Sequence, residues 1–236
     1  MAILGALLLG LLAGGAAAGD VYFEQTTVST VPGVAAGPGV ASRVWYSGKK
    51  MRMEAGDATR GPAFVLRLDT GRAWRLDPVK KTALAIDLDR LRSQAQMDLA
   101  MAGDLMGAEE GRARTTPLQA PKTIAGHPCR GFRIASGSSV MDVYVTDTLP
   151  VGIDAFADFL EWSGASQSLA GLIAELRRLP GFPLQTRSRV AVLGEQHETL
   201  STVTRVKVGP LSPALFEPPP DYRLQAEPDA PDAPEP

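Results

Sequence analysis

The feature that most constrains the fold is a series of short segments, between residues 43 and 88, in which apolar and polar side chains alternate. In the segment 82–88, Leu84, Ile86 and Leu88 take every second position. Turn-forming groups such as Ser47-Gly48-Lys49 and Asp69-Thr70-Gly71 separate neighbouring segments. A period of two with closely spaced turns is typical of an antiparallel sheet with one buried face. The sequence therefore predicts a β-meander.

The same reasoning predicts further strands outside this region. The complete set of predicted strands covers residues 21–30, 43–47, 50–55, 64–69, 73–77, 82–88, 122–135, 140–146, 186–193 and 198–208. The intervening segment 107–121 is polar, and we expect it to be a mobile connection.

Two segments change to a helical period. Apolar residues at Leu91, Met97, Met101 and Leu105 predict a helix over 88–106. A second helical stretch covers 154–179, with a break near Ser163-Gly164 and an end at Pro180-Gly181. Amphipathic helices can cover the apolar face of an open sheet. The pattern as a whole predicts the α+β class: a long antiparallel sheet that either closes on itself or covers its apolar face with these helices.

The two ends of the chain differ from the rest. An apolar run from Ile3 to Leu12 precedes Ala16-Ala17-Ala18, which predicts a signal peptide over residues 1–18 that is cleaved after Ala18. The alternative is an uncleaved membrane anchor. A helix that spans a membrane needs about 20 apolar residues, however, and this run is shorter. No Cys follows the run, so we expect no lipid anchor and a soluble periplasmic protein. We expect one domain over 19–222 and a disordered tail over 223–236.

Composition and side-chain spacing exclude several functional classes. The net charge of -2 argues against a nucleic-acid partner. His127 and His197 lie in different predicted hairpins, and Cys129 is the only cysteine, so we expect neither a metal site nor another cofactor. Cys129 itself is expected to be a small buried side chain, the alternative being a reactive or intermolecular thiol. No nucleophile–base pair is visible, and we expect no catalytic residues.

Three carboxylates form the one cluster that could suggest acid–base chemistry. Asp154, Asp158 and Glu161 fall on the same face of the second predicted helix. Paired carboxylates can serve as acid and base when burial separates their pKa values. The preferred interpretation is a solvated face near a helix N-terminus, where negative charge is favourable.

Several segments together resemble a known family, in their order and spacing more than in any single motif. They are Val21-Tyr22-Phe23-Glu24-Gln25, Val44-Trp45-Tyr46-Ser47-Gly48-Lys49-Lys50-Met51-Arg52, Asp69-Thr70-Gly71, Leu76-Asp77-Pro78, Ile124-Ala125-Gly126-His127-Pro128-Cys129, Leu179-Pro180-Gly181-Phe182-Pro183 and Leu215-Phe216-Glu217-Pro218-Pro219-Pro220-Asp221-Tyr222. The chain resembles the bacterial exported domain-of-unknown-function family 4412, which is related to the LolA-like periplasmic lipoprotein carriers. This resemblance implies a curved antiparallel sheet, an unclosed barrel, with the amphipathic helices packed on its concave face. It also implies an apolar cavity for acyl chains between sheet and helices. It implies no catalytic residues.

These observations lead to a hypothesis of binding. We expect a lipid or an acylated polypeptide to occupy a cavity between sheet and helices, and we expect the protein to be a monomer. The candidate lining residues are Trp45, Phe64, Leu66, Trp74, Met97, Met101, Leu172 and Leu176. The alternative is a ligand-free module that senses stress or meets a peripheral envelope partner, and an enzyme is the third hypothesis.

Overall fold

The structure of the protein, a computed structural model, describes residues 19–30, 32–33, 37–57, 59–90, 93, 113–137, 139–161, 166–192 and 195–226. Within these ranges the chain forms twelve strands, two α-helices, a short 3-10 helix and the described start of a further helix at residues 88–90. The strands are β1 (Val21–Thr30), β2 (Val40–Ser47), β3 (Lys50–Ala55), β4 (Ala63–Arg67), β5 (Arg72–Asp77), β6 (Thr82–Asp87), β7 (Arg114–Ile124), β8 (His127–Ser136), β9 (Ser139–Thr146), β10 (Phe182–Val192), β11 (Glu195–Val208) and β12 (Arg223–Gln225). The helices are α1 (Ile153–Leu160) and α2 (Ser166–Leu176), and the 3-10 helix is η1 (Pro213–Phe216).

All described strands belong to one sheet, in the order β12-β6-β5-β4-β3-β2-β1-β11-β10-β9-β8-β7. Neighbours are antiparallel throughout, except that β12 runs parallel to β6. The long strand β11 lies between β1 and β10 and so joins the N-terminal meander to the later strands. Among the described residues, β7 and β12 form the two edges, so the sheet is not closed. The predicted α+β class with an unclosed antiparallel sheet is confirmed.

The predicted strand 122–135 is divided by a turn at Ala125 and Gly126 into the end of β7 and the strand β8. Two strands also extend into segments for which the sequence predicted none. Strand β7 occupies most of the segment expected to be mobile, and β12 lies in the predicted tail. Proline is tolerated at Pro117 and Pro121 because β7 is an edge strand. Strand β12 is held by pairing with β6 and by a 2.8 Å hydrogen bond from the Arg223 amide to the Lys81 carbonyl. The structure differs from these expectations at residues 114–121 and 223–225, where neither stretch alternates. Strand β7 forms as a hairpin with β8, and β12 forms through long-range pairing with β6. The predicted tail from residue 227 onward lies outside the described residues.

The helices pack on one face of the sheet, which we call the helix face. The buried side of α2, with Leu172, Ile173 and Leu176, lies against Ile134 and Val143 of strands β8 and β9. The predicted break near Ser163-Gly164 lies outside the described residues, and α1 and α2 are the elements described on either side of it. Gly181 follows them with φ +101°, and a Cβ there would lie 2.1 Å from the Thr146 carbonyl oxygen, so only glycine fits.

Only the start of the other predicted helix is described. Residues 88–90 are helical, and the Asp87 carboxylate accepts hydrogen bonds from the amides of Asp89 and Arg90 at 2.9 and 3.0 Å. This is N-terminal capping by an acidic side chain. Met97 and Met101 lie outside the described residues, as does Trp162.

The opposite face of β3–β6 is covered by residues 210–222, which we call the C-terminal strap. Phe216 of the strap is 1% exposed and packs against Val65, Trp74 and Leu76. The Arg52 guanidinium donates a 3.1 Å hydrogen bond to the Leu215 carbonyl. This half of the sheet is therefore buried on both faces. Within the described ranges, no helix has the length and apolarity that a membrane span requires.

Candidate functional site

Three aromatic side chains form the centre of the helix face. Phe23 of β1, Tyr46 of β2 and Phe182 of β10 contact one another, with ring centroids 5.9 Å apart for Phe23–Tyr46, 5.5 Å for Phe23–Phe182 and 5.7 Å for Tyr46–Phe182. We call these residues the aromatic triad. Phe23 and Tyr46 are stacked, Phe23 and Phe182 are tilted, and Tyr46 and Phe182 meet edge to face, arrangements in which aromatic pairs attract beyond simple burial.

Beside the aromatic triad lies a cavity of about 310 Å³ between α1 and the sheet. Its apolar lining consists of Phe23, Val44, Tyr46, Met51, Met53, Met141, Phe156, Phe159, Leu160, Phe182, Pro183, Leu184 and Val203. Its polar lining consists of Gln25, Gln185, Thr186, Ser188, Thr199 and Ser201. None of these residues carries a charge. The volume is at the lower end of the about 300–1,000 Å³ typical of ligand sites.

The cavity exists because the sheet curves. Met53 of β3 and Met141 of β9 both line it, although four strands, β2, β1, β11 and β10, lie between theirs. At about 4.8 Å between neighbouring strands, the two would be roughly 24 Å apart in a flat sheet. Both can border so small a space only if the sheet bends around α1, whose Phe156 and Phe159 close the open side.

The hydroxyl of Tyr46 is a buried polar group on this cavity. The side chain is 5% exposed, and its hydroxyl makes no hydrogen bond within the part of the chain that the structure describes. Burial raises the pKa of Tyr46 well above its ordinary value, and the nearby Asp158 carboxylate raises it further. The group therefore stays protonated, and it can donate a hydrogen bond to a molecule in the cavity.

Six of the eight predicted lining residues are described, and they fall into three groups, the third of which is the pair of tryptophans. Leu66 is buried in the helix-face core, and Phe64 shares its strand face through pairing with Met53. Leu172 and Leu176 are buried between α2 and the sheet. None of these four borders the cavity itself.

The two predicted tryptophans lie on the other side of the sheet. Trp74 is buried there with Phe216, and Trp45 packs against the same cluster. The ring centroids of Trp45 and Tyr22 are 5.1 Å apart. Alternation along a strand places Trp45 opposite its neighbours Val44 and Tyr46, which face the cavity. Sequence periodicity could not tell the two faces apart, because the C-terminal strap makes both of them apolar.

The prediction missed the aromatic triad and the α1 side chains Phe156 and Phe159. A signal was present, since Phe23, Tyr46 and Phe182 each lie in one of the segments that carry the family resemblance. What the sequence does not contain is the pairing of β1 with both β2 and β11, which brings these segments together.

The carboxylate cluster on α1 is structural. A single guanidinium, that of Arg177, lies 3.3 Å from Asp154, 2.7 Å from Asp158 and 2.9 Å from Glu161. It follows α2 in the chain and so links the two helices. One counter-ion is thus shared by all three carboxylates, and these ion pairs hold the two helices together.

Other titratable groups are also engaged by structural partners. His127 is 2.7 Å from the Thr148 hydroxyl, and Cys129 is buried, which raises the pKa of its thiol. In the described ranges, no three His, Cys, Asp or Glu side chains lie together in a way that could hold a metal ion.

The amino-acid sequence matches one protein family over most of its length. A family model described as "Domain of unknown function (DUF4412)" matches residues 43–222. The chain belongs to the DUF4412 family. The match covers β2 to the C-terminal strap and therefore includes most of the cavity wall. The family assignment made from the quoted segments is confirmed. A comparison with curated proteins finds no match for this DUF4412 chain.

Several solved structures are similar to the chain. An uncharacterized conserved protein from Thermus thermophilus aligns at 10% identity and a TM-score of 0.48, covering 90% of this chain and 93% of that one. A LolA superfamily protein from Nitrosomonas europaea aligns at 10% identity and a TM-score of 0.39, covering 86% and 94%. MucB, in a complex with MucA(peri), aligns at 8% identity and a TM-score of 0.41, and the chain spans 57% of its length. Likeness at this level carries no function from one protein to another.

Proposed function

We propose that the protein works in the bacterial periplasm, where it binds a hydrophobic or amphiphilic ligand, a lipid or an acylated polypeptide, between α1 and the sheet. The observation that carries the proposal is an uncharged cavity of about 310 Å³ lined mainly by aromatic, aliphatic and methionine side chains. Burying an apolar chain there would contribute roughly 25 cal/mol per Å² of apolar surface. Methionines such as Met51, Met53 and Met141 adapt to varied apolar shapes.

The proposed location is supported by the apolar run and small-residue site at residues 1–18. In the structure, Gly19 donates a 2.9 Å hydrogen bond to the Pro150 carbonyl, so the first residue of the proposed mature chain is held in the fold. Expression in a bacterial host, followed by fractionation and N-terminal sequencing, tests this. The expected product is a periplasmic chain that begins at Gly19, and a full-length chain in the membrane fraction would overturn the assignment.

Native mass spectrometry of the purified protein, with organic extraction, tests whether a ligand is bound. A discrete added mass of acyl character is the expected result. The same preparation is then titrated with a fluorescent naphthylamine probe that brightens in apolar sites. A clean apo mass together with no probe binding would contradict the proposal and favour a ligand-free interaction module.

A pair of variants on β10 links binding to the cavity. Ser188 lines the cavity, while its neighbour Arg187 points to the other face and pairs with Glu198 at 3.2 Å. Ser188→Trp places an indole in the cavity and should weaken probe binding about tenfold or more. Arg187→Trp adds the same side chain outside and should bind as wild type does. Equal binding by both variants would place the probe elsewhere.

A further inference from the structure

Most of the polar lining of the cavity belongs to an ordered array of hydroxyl groups. Pairing of β1 with β11 sets Thr27 opposite Ser201 and Ser29 opposite Thr199. Pairing of β10 with β11 sets Thr186 opposite Ser201 and Ser188 opposite Thr199. The result is two adjacent rows, each three strands wide, of Ser and Thr side chains on the helix face. We call this set of six residues the hydroxyl grid.

Most of the grid borders the cavity directly. Thr186, Ser188, Thr199 and Ser201 are lining residues, and all four are partly buried. Thr27 contacts Ser201 through a 2.8 Å hydrogen bond between hydroxyls. The side chains of Thr186 and Ser188 make no hydrogen bond within the described part of the chain. Their donors and acceptors are thus open to a ligand.

The grid is kept free of charge by strand alternation. Between and beside its residues, β10 carries Arg187 and Arg189, which point to the other face and pair with Glu198 at 3.2 and 2.9 Å. The cavity lining as a whole contains no Asp, Glu, Lys or Arg. An anionic head group entering the cavity would lose its hydration without meeting a cation, which is a large cost.

The Tyr46 hydroxyl supplies a second, independent indication of a polar ligand group. It is buried on the same cavity and makes no hydrogen bond among the described residues. Buried polar groups in native proteins are nearly always satisfied by protein, water or ligand. Each Ser, Thr or Tyr hydroxyl offers one donor and accepts as well, which matches the hydroxyl and ester groups of a polyol ester.

Building on the proposed function, we propose that the cavity selects amphiphiles with a single acyl or alkyl chain and an uncharged, hydroxyl-bearing head group. The chain lies against the aromatic triad and the α1 phenylalanines, and the head group lies on the hydroxyl grid. Two sources share this chemistry, glycerol esters and glycosides. A negatively charged lipid of the same chain length is discriminated against.

The test is a displacement titration of the naphthylamine probe with four ligands of identical twelve-carbon chain, at about pH 8, where a carboxylic acid is ionised. The neutral ligands are monododecanoylglycerol and dodecyl glucoside, and the anionic ligands are dodecanoate and dodecyl phosphate. At least one neutral ligand should bind about tenfold more tightly than either anion. Which neutral ligand binds better distinguishes a glyceride from a glycoside.

The outcomes separate this inference from the proposed function. Equal or tighter binding of the anions would overturn the head-group selectivity and leave the binding function standing. Failure of all four ligands, together with failure of the probe itself, would overturn both. Tight neutral binding with weak anion binding supports both.

Two sets of variants place the selectivity at the grid. Ser201→Lys adds a cation at the centre of one row and should shift the affinity ratio about tenfold toward dodecanoate. Thr204→Lys is the matched control, because Thr204 is exposed on the same strand and does not line the cavity. Should Ser201→Lys fail to fold, the double variant Thr186→Ala, Ser188→Ala tests whether the hydroxyl grid binds the head group. It should weaken monododecanoylglycerol severalfold without weakening the probe, and unchanged monododecanoylglycerol affinity would contradict the role of the grid.

Discussion

Truncating Phe216 to alanine should destabilise the whole domain, although the residue lies in a short 3-10 helix near the end of the described chain. Its ring is 1% exposed and packs on β4–β6 against Val65, Leu76 and Trp74. These neighbours belong to paired strands, so they cannot move inward to fill the space that the ring leaves. The C-terminal strap would lose its only fully buried aromatic anchor within the described residues.

The expected cost follows from the size of the cavity created. Phe→Ala substitutions in well-packed cores cost about 3–5 kcal/mol, and rigid surroundings give the upper part of that range. A domain of this kind has about 5–15 kcal/mol of stability in total, so the loss is a large fraction of it. At roughly 2–4 °C per kcal/mol for a chain of this length, Tm should fall by roughly 6–20 °C.

Urea unfolding followed by tryptophan fluorescence measures the change, and Trp74 in the same cluster reports directly on it. The control is Leu224→Ala on β12, because Leu224 is 66% exposed and should change stability by no more than about 0.5 kcal/mol. Two ion pairs hold the strap, Lys81–Asp221 with both side chains exposed and Arg67–Glu217 with Glu217 half exposed, and they should compensate for little of the loss. A Phe216→Ala cost below about 1 kcal/mol would refute the packing of the strap on the sheet.

Three further predictions concern titratable groups. Because burial raises the pKa of Tyr46 in the folded state, stability falls as pH rises above the unfolded value of about 10, by about 1.4 kcal/mol per pH unit. In urea titrations at alkaline pH, the stability of Tyr46→Phe should lack this decrease. Identical stability profiles for Tyr46→Phe and the wild type would contradict the prediction. The Arg133 guanidinium lies 2.6 Å from the buried Asp142 carboxylate and lowers the pKa of Asp142. The carboxylate therefore contributes fully to the free energy of unfolding above about pH 3.9, the unfolded pKa, and this contribution is lost as pH falls through the lower pKa of the folded state. Asp142→Asn should therefore cost roughly 1 kcal/mol at neutral pH, since Arg133 is half exposed, and should flatten the acid limb of the stability profile. Burial raises the pKa of the Cys129 thiol, so a thiol reagent should modify it slowly in the native protein and rapidly in urea, and equal rates would show that the thiol is accessible.

Most of the local elements, though not β7 and β12, could be predicted from the amino-acid sequence alone. Alternation and turn residues were sufficient for β1 and β3, whose predicted and observed bounds coincide, and helical spacing was sufficient for the region of α1 and α2. These features depend on side chains within a few positions of one another, because strands and helices display their periods locally. The family could also be assigned from the chain, since its segments are short and contiguous.

The role of each strand face, in contrast, depends on the tertiary fold. Trp45 and Tyr46 are adjacent and both apolar in character, yet one packs on the strap side and the other borders the cavity. The hydroxyl grid likewise exists only because β11 pairs with β1 and β10 in one register, and a shift by one residue would bring charged side chains to the cavity. Register, edge strands and sheet curvature depend on contacts between residues far apart in the chain, and local periodicity contains no information about them.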